Sequence, residues 1–508
     1  MPETEYSGQN NLLLMDNYGF WSVLPPLIAI ILAMKTRQVL VSLLTGIIVG
    51  SIILSHAAII DGITGTVTLI ADVFKNDSST KTLMFTLLIG VLIAFIQHSG
   101  GVEGFINRVR LGEIPDDSSK LSKLRSKYSV MAGLTGLLCF VESNLAALTV
   151  GTLYRPIFDK LKLPREKLAY IADSVSAPIC IFIPLNAWGG FIMGLLVLQG
   201  FTNPFTTMLN AMLYNFYPVL TLIMVYTIAA TGKDFGLMRK AMVRADTEGK
   251  VLADGARPMV SAEITVLGTK KNVTPKAFNM FIPMGLMVVS IPLMLVFTGW
   301  AEVPDKDGMS FFQKVFEAIG KSSGATAVLY SVLIALTGGI ILYLSQKIMS
   351  LREITDLSIK GISGMTQMAL IMLFAFAIGN LCNKLGTGIY VAEVSKGFLS
   401  PSLVPFVVFI ISCFIAFSTG TSWGTFAIMI PIAVPMAEAF DTNIHMAIAA
   451  ALGGGVFGDH CSPVSDTSII SSMASASDHI DHVKTQLPYA LVTGSITALI
   501  YLLLGFLG

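Results

Sequence analysis

Residues 453–472 read GGGVFGDHCSPVSDTSIISS, placing two aspartates, a histidine and a series of hydroxyls inside one of the most apolar parts of a 508-residue chain. Oxygen-rich clusters of this kind suit a hard cation such as Na+, which takes ligands from carboxylates, hydroxyls, amides and unwound backbone carbonyls. Asp459, Ser462, Ser465, Asp466 and Thr467 offer side-chain oxygens here. Gly453, Gly454, Gly455 and Gly458 are expected to let the backbone unwind and bare its carbonyls. Pro463 removes a donor that a regular helix would use. His460, beside Asp459, carries the side chain that exchanges protons near neutral pH.

Three other apolar segments are interrupted in the same way. Segment 128–152 carries Glu142, Ser143 and Asn144 near its middle, and 402–435 is broken by STGTSWGT (418–425), which contributes Ser418, Thr421 and Ser422. Segment 168–200 is broken twice, by DSVSAP (173–178) and by PLNAWGG (184–190), the second containing Asn186. A charge at the bilayer centre costs about 2.5–3.5 kcal/mol on insertion scales, so such residues mark ion pathways or relays. The competing readings are helix caps for the acidic residues and bonds to the preceding turn for isolated hydroxyls. Clustering at four matched interruptions favours the ion site, with Asp459, Asp466, Ser462 and Asn144 as the Na+ ligands. Asp173, close to the predicted membrane surface, reads equally as a cap and is left out of the ion set. The run DHIDH (478–482) reads as a solvated cap at a helix end rather than a metal cluster.

The elements that must position these groups are transmembrane helices. Hydrophobic residues make up 54% of the chain and charged residues 13%, about half the share usual for soluble proteins. Apolar windows long enough to span a bilayer recur from end to end. The first apolar stretch (20–34) lacks a basic flank and a small-residue cleavage site, and reads as a retained helix. A net charge of +1 argues against a nucleic-acid partner, and the five cysteines have no metal-like spacing. GKS (320–322) lacks the upstream glycine of a phosphate-binding loop, with Val315 in its place. No nucleophile elbow or HExxH is present, so the chain reads as no enzyme, with no cofactor and an ion gradient as its driving force.

Polar segments set the orientation. Residues 233–276 hold nine Lys/Arg against five Asp/Glu, 108–127 hold six against three, and 153–167 hold five against two. All three belong on the cytoplasmic side under the positive-inside rule. The 25 residues of 128–152 then lie between two cytoplasmic flanks, which a re-entrant hairpin satisfies and a single crossing does not. The chain thus divides into a first repeat (1–232) with a hairpin at 128–152 and a broken helix at 168–200, a cytoplasmic linker (233–276), and a second repeat (277–508) with a hairpin at 402–437 and a broken helix at 446–475. Crossings fall at 12–34, 38–56, 82–98, 168–200 and 205–231, then at 278–299, 322–345, 364–383, 446–475 and 487–508, with 57–74 at the external interface. Five crossings per half invert the second repeat. The predicted fold is an all-α polytopic membrane protein of two inverted repeats, each of about five transmembrane helices and a re-entrant hairpin, with discontinuous helices at the midplane.

GGGVFGDHCSPVSDTSIISS and STGTSWGTFAIMIPIAVP resemble the signatures of the NhaC-type Na+/H+ antiporters of the ion-transporter superfamily, over roughly 20–505. The resemblance implies a multi-pass protein of the bacterial cytoplasmic membrane, a homodimer, elevator-type motion, and an ion site lined by Asp459, His460, Ser462, Asp466 and the 418–425 hydroxyls. Families similar in these motifs also include malate–lactate exchangers and carriers of methionine, tyrosine or lysine. Na+-coupled transport of such a solute is therefore the alternative to Na+/H+ antiport, with Asn186, Trp188, Trp423, Asn144 and Glu142 as pocket residues.

Overall fold

A computed structural model describes residues 18–507 except 37, 107–116, 141–142, 184–185, 259–269, 271–272, 304–310, 398 and 464. The first half runs α1 (Leu24–Thr36), α2 (Val39–Leu54), α3 (Ile59–Val73), α4 (Asp77–His98), α5 (Gly101–Ile106), α6 (Ser118–Leu138), α7 (Ser143–Lys160), α8 (Arg165–Ser174), α9 (Ala177–Phe182), α10 (Ala187–Leu198), α11 (Pro204–Met212) and α12 (Phe216–Thr231). After α13 (Gly236–Glu248) come α14 (Phe278–Gly299), α15 (Phe311–Gly320), α16 (Gly324–Ser345), α17 (Leu351–Leu385), α18 (Thr387–Ser395), α19 (Val404–Thr419), α20 (Ser422–Ala439), α21 (Ile444–Cys461), α22 (Asp466–Ser475) and α23 (His479–Leu507). Among the described residues seven helices are long and apolar enough to cross a membrane, or up to nine if each of two bent pairs is one span. The protein is therefore a multi-span, all-helical membrane protein.

Several helix contacts in the first half have counterparts in the second. Helices α4 and α17 lie against each other, α2 packs on α17 as α16 packs on α4, and α19 meets α23 as α6 meets α12. The pairs α6/α7 and α19/α20 stand where the hairpins are expected, and α8/α9/α10 and α21/α22 where the broken helices are expected. The expected crossing 205–231 is interrupted at 213–215, between α11 and α12. Helix α3 has only 15 residues, fewer than the about 20 a span requires; it buries Gly62, Thr66, Leu69 and Val73 and exposes Ile59, Ile60, Ile63 and Val67.

Each break has a local chemical cause. Gly420 takes the left-handed conformation (φ 68°) and ends α19, after which Thr421 caps α20. The side chain of Asn186 accepts from the N–H groups of Trp188 and Gly189 and starts α10. Pro463 follows α21, and Ser465 caps α22 by accepting from the N–H of Ser468. The glycines of the opening motif behave otherwise than the sequence suggests. Helix α21 stays regular through Gly453, Gly454, Gly455 and Gly458 to Cys461 and breaks only beyond it. These glycines serve close packing. A Cβ on Gly454 would stand 2.5 Å from the carbonyl oxygen of Phe409, and one on Gly458 would stand 2.4 Å from both the Cys413 oxygen and the Phe417 nitrogen. Small residues at such crossings let two backbones touch, and that contact overrides the weak helix propensity of glycine.

The linker docks through ion pairs onto the ends of the membrane helices. Lys167 and Asp234 pair at 2.7 Å, each side chain only 2% exposed, and Asp234 also accepts from the Tyr489 hydroxyl at 3.0 Å. Arg244 holds Glu166 at 2.9 Å and Arg125 meets Asp246. A buried pair of this kind is destabilising when one partner is removed, so the linker is tied to α8. The packing reading predicts that Gly458→Ala, forced against backbone on two sides, costs about 1–3 kcal/mol or more. Gly364→Ala, with nothing within 4 Å of the added carbon, leaves the protein unchanged or slightly more stable. Thermal unfolding of both variants in detergent checks the pair; equal midpoints would remove the close-packing account.

Candidate functional site

The interrupted segments converge on a buried polar cluster. Asp459, near the end of α21, is 2% exposed, and its Oδ2 accepts from the Ser422 hydroxyl at 2.6 Å and the Ser422 N–H at 3.3 Å. Ser422 is the first residue of α20, so the carboxylate sits at a helix N-terminus where free N–H groups and the helix dipole favour negative charge. The expected meeting of the second hairpin break with the opening motif is thus present. Ser462 donates to the Phe417 carbonyl at 2.7 Å, which holds the α21 break to the end of α19.

His460, the next residue, faces another way. Its Nδ1 meets the Tyr217 hydroxyl at 2.8 Å and its Nε2 the Ser174 hydroxyl at 3.1 Å, while the Gln486 side chain donates to its backbone carbonyl. The same Gln486 nitrogen donates at 2.7 Å to Oδ2 of Asp173, which also accepts from Ser468 at 2.7 Å. The His482 ring lies 3.4 Å from that oxygen. Asp173, His482, Gln486 and Ser468 are all fully buried. Among the described residues the ion-pair partner of Asp173 is a histidine rather than a Lys or Arg, so its charge rests on hydroxyl, amide and imidazole groups.

Helix directions bring a third break to this level. Arg165 donates to both carboxylate oxygens of Asp159 at 2.9 Å and to the Ala476 carbonyl at 3.1 Å, so it ties the last turn of α7 to the residue that follows α22. Gly151 packs on Ala474, and counting back seven residues along each parallel helix sets Asn144 level with Thr467. Ser468 meets Asp173 at that level. Ser143 is buried at the start of α7, and Ser465 bonds Thr467 at 2.9 Å.

Other sequence candidates have different jobs. Asn186 is spent structurally: its nitrogen donates to the carbonyls of Phe140, Cys180 and Ile183 at 3.0, 2.7 and 2.8 Å, while its oxygen caps α10. Trp188 and Trp423 pack on each other with ring centroids 5.3 Å apart, both buried, so the expected solute pocket residues here are core. Thr421 caps α20 weakly, through a 3.5 Å bond to the Gly424 N–H, and Ser418 is half-buried at the end of α19. Glu142 and the Asp466 side chain lie outside the described residues. Among the described residues no group of three or more His, Cys, Asp or Glu is arranged to hold a metal ion.

The sequence reading left Asp173 out of the ion set, took His482 for part of a solvated cap and passed over Gln486. His482 is not a solvated cap: it is buried against α8, and His479 beside it bonds Ser472 at 3.0 Å and the Pro463 carbonyl at 2.8 Å. A signal was available. His482, Gln486, Tyr489, Thr493 and Thr497 recur at three- or four-residue steps, a polar stripe on one face of α23 that is buried throughout.

Residues 179–506, well over half the chain, match the Na+/H+ antiporter family. The chain belongs to that family. A Haemophilus influenzae protein whose name assigns no function is 33% identical over 500 residues, covering 96% of this chain and 91% of that protein. The malate-2H(+)/Na(+)-lactate antiporter of Bacillus subtilis is 27% identical over 161 residues, 31% of this chain and 34% of its own. Among solved structures, the Alcanivorax borkumensis YdaH transporter superposes with a TM-score of 0.54 at 13% identity, covering 88% of this chain and 89% of its own, which establishes likeness of fold. The family match supports the NhaC-type resemblance read from the motifs at 418–435 and 453–472, and both motifs lie inside the matched region.

Within this antiporter, the Asn186 knot predicts a structural phenotype. Asn186→Ala removes a cap and strands buried carbonyls, a loss of about 2–4 kcal/mol. Thr421→Ala, which gives up only a long cap bond, costs under about 1 kcal/mol. Thermal midpoints in detergent order the two; an Asn186→Ala midpoint at or above that of Thr421→Ala would contradict the assignment.

Proposed function

We propose that this protein is a Na+-coupled secondary transporter of the bacterial cytoplasmic membrane that exchanges Na+ for H+. The observation that supports the reading most strongly is the Asp459 carboxylate, buried at a helix break and held at the N-terminus of α20 by Ser422. A carboxylate there is an exchangeable anion: deprotonated it attracts Na+, and protonated it gives the ion up. Ser462, Asn144 and Asp466 complete the proposed oxygen set, and His460, tied to Ser174 and Tyr217, stands beside it as the proton-exchanging neighbour. Helices α6/α7 and α19/α20 act as the paired re-entrant hairpins of two inverted repeats. Alternating access then carries the loaded site from one face to the other.

A second reading is favoured by the Bacillus subtilis relative, whose name couples Na+ and H+ to organic anions. On that reading the same ion site drives a small carboxylate or an amino acid. Burial of Trp188 and Trp423 and the full use of Asn186 give the solute fewer open groups than the sequence promised, so exchange of the two cations is the simpler function.

Proteoliposomes test the proposal. A Na+ pulse outside should draw protons out and alkalinise the lumen, without added solute. Asp459→Asn should lower the initial rate at least tenfold, and Ser422→Ala should raise the Na+ concentration for half-maximal rate by about tenfold, the loss of one charge-assisted bond. Wild-type rates in Asp459→Asn would refute the site. A pH response that appears only with labelled malate, lactate or an amino acid would support the second reading instead.

A further inference from the structure

The packed seam of α7, α8, α22 and α23 holds several buried side-chain oxygens, and the His482 ring, with no hydrogen-bond partner among the described residues. Asp173 is fully buried in α8, and while its Oδ2 is bonded, its Oδ1 has no partner. Gln486 is fully buried on α23. Its nitrogen faces two acceptors, Asp173 Oδ2 and the His460 carbonyl, and a flipped amide would set oxygen against oxygen, so the orientation is fixed. Its Oε1 is likewise buried and unpartnered. On α22, Ser471 and Ser475 lie three and seven residues past Ser468, on the face that meets Asp173; both are fully buried and both hydroxyls lack a partner. Serines in membrane helices ordinarily bond the carbonyl four residues back, as Ser472 does to Ser468 at 2.7 Å. Ser471 and Ser475 do not.

An isolated buried acceptor is costly, and a set of them around one carboxylate is the complement of a cation. We propose that Asp173, with the amide oxygen of Gln486, forms a second Na+ site, separate from Asp459, and that Ser471 and Ser475 line the route to it from the Arg165 end. Arg165 is partly exposed and ties the last turn of α7 to the residue that follows α22 through Asp159 and the Ala476 carbonyl. Asp173 lies eight residues further along α8, about 12 Å deep at the helical rise. The serine face of α22 spans that depth. The choice of Na+ as the cation rests on the proposed coupling; the site itself rests on the geometry of the seam.

Equilibrium binding of ²²Na+ to the purified full-length protein in detergent, with choline as the balancing cation, tests the proposal. The wild type should bind two Na+ per chain, Asp173→Asn one, and Asp459→Asn one. Two ions bound by Asp173→Asn, with one lost in Asp459→Asn, would overturn the second site and leave the proposed function standing. Retention of both ions by Asp459→Asn with loss of one in Asp173→Asn would overturn the function's site and keep this one. A wild type that binds no Na+ would overturn both. A second measurement does not depend on stoichiometry or on Asp173→Asn folding well. With the five native cysteines replaced by alanine, Ser471→Cys and Ser475→Cys should react with 2-aminoethyl methanethiosulfonate, and Na+ should slow the reaction at least threefold. Reaction unaffected by Na+ marks a merely hydrated seam, and absence of reaction marks a dry one; either overturns the site.

Discussion

Unwound backbone inside a membrane protein must find every hydrogen bond within the protein, and the architecture around the site follows from that constraint. Asn186 meets it at one break by serving three carbonyls and two N–H groups from a single side chain. Ser462 meets it at another by tying the end of α21 to Phe417. The bonds to Phe140 and Phe417 cross between elements, so the segments on the two sides hold each other in place. Asp459 and Asp173 are the buried carboxylates beside these breaks, and the proposed ion sites are built on them.

Close backbone contact complements that polar framework. Gly454 and Gly458 bring α21 against α19 at backbone distance, which helps fix where Asp459 stands relative to Ser422. The segment after α12 adds ion pairs to α8, so the helix bearing Asp173 is anchored at Lys167 and Glu166 and interrupted just beyond Ser174. A segment pinned at one end and broken at the other suits alternating access, where one part moves past another around a site.

Much of this was legible in the residues. The positions of the breaks follow from clustered Gly, Pro, Ser and Asn in apolar surroundings, and Asp459 was singled out because a charge there is expensive. What the sequence misjudged depended on neighbours it does not show. A glycine triplet can unwind a helix or admit another helix, and only Phe409 and Cys413 across the contact decide between them. Asn186 and Trp188 have the chemistry of a binding pocket, but a knot of carbonyls and a facing Trp423 use them up. His482 looked like a surface cap because α8, whose Asp173 buries it, lies more than 300 residues earlier in the chain.

Sodium flux driven by a pH gradient tests the central claim most directly. Proteoliposomes acidified inside and supplied with equal ²²Na+ on both sides, without organic solute, should accumulate Na+ above the external concentration as protons leave. Dissipating the pH gradient should release it. Sodium that merely equilibrates, or that accumulates only when a carboxylate or amino acid is present, would contradict exchange of Na+ for H+.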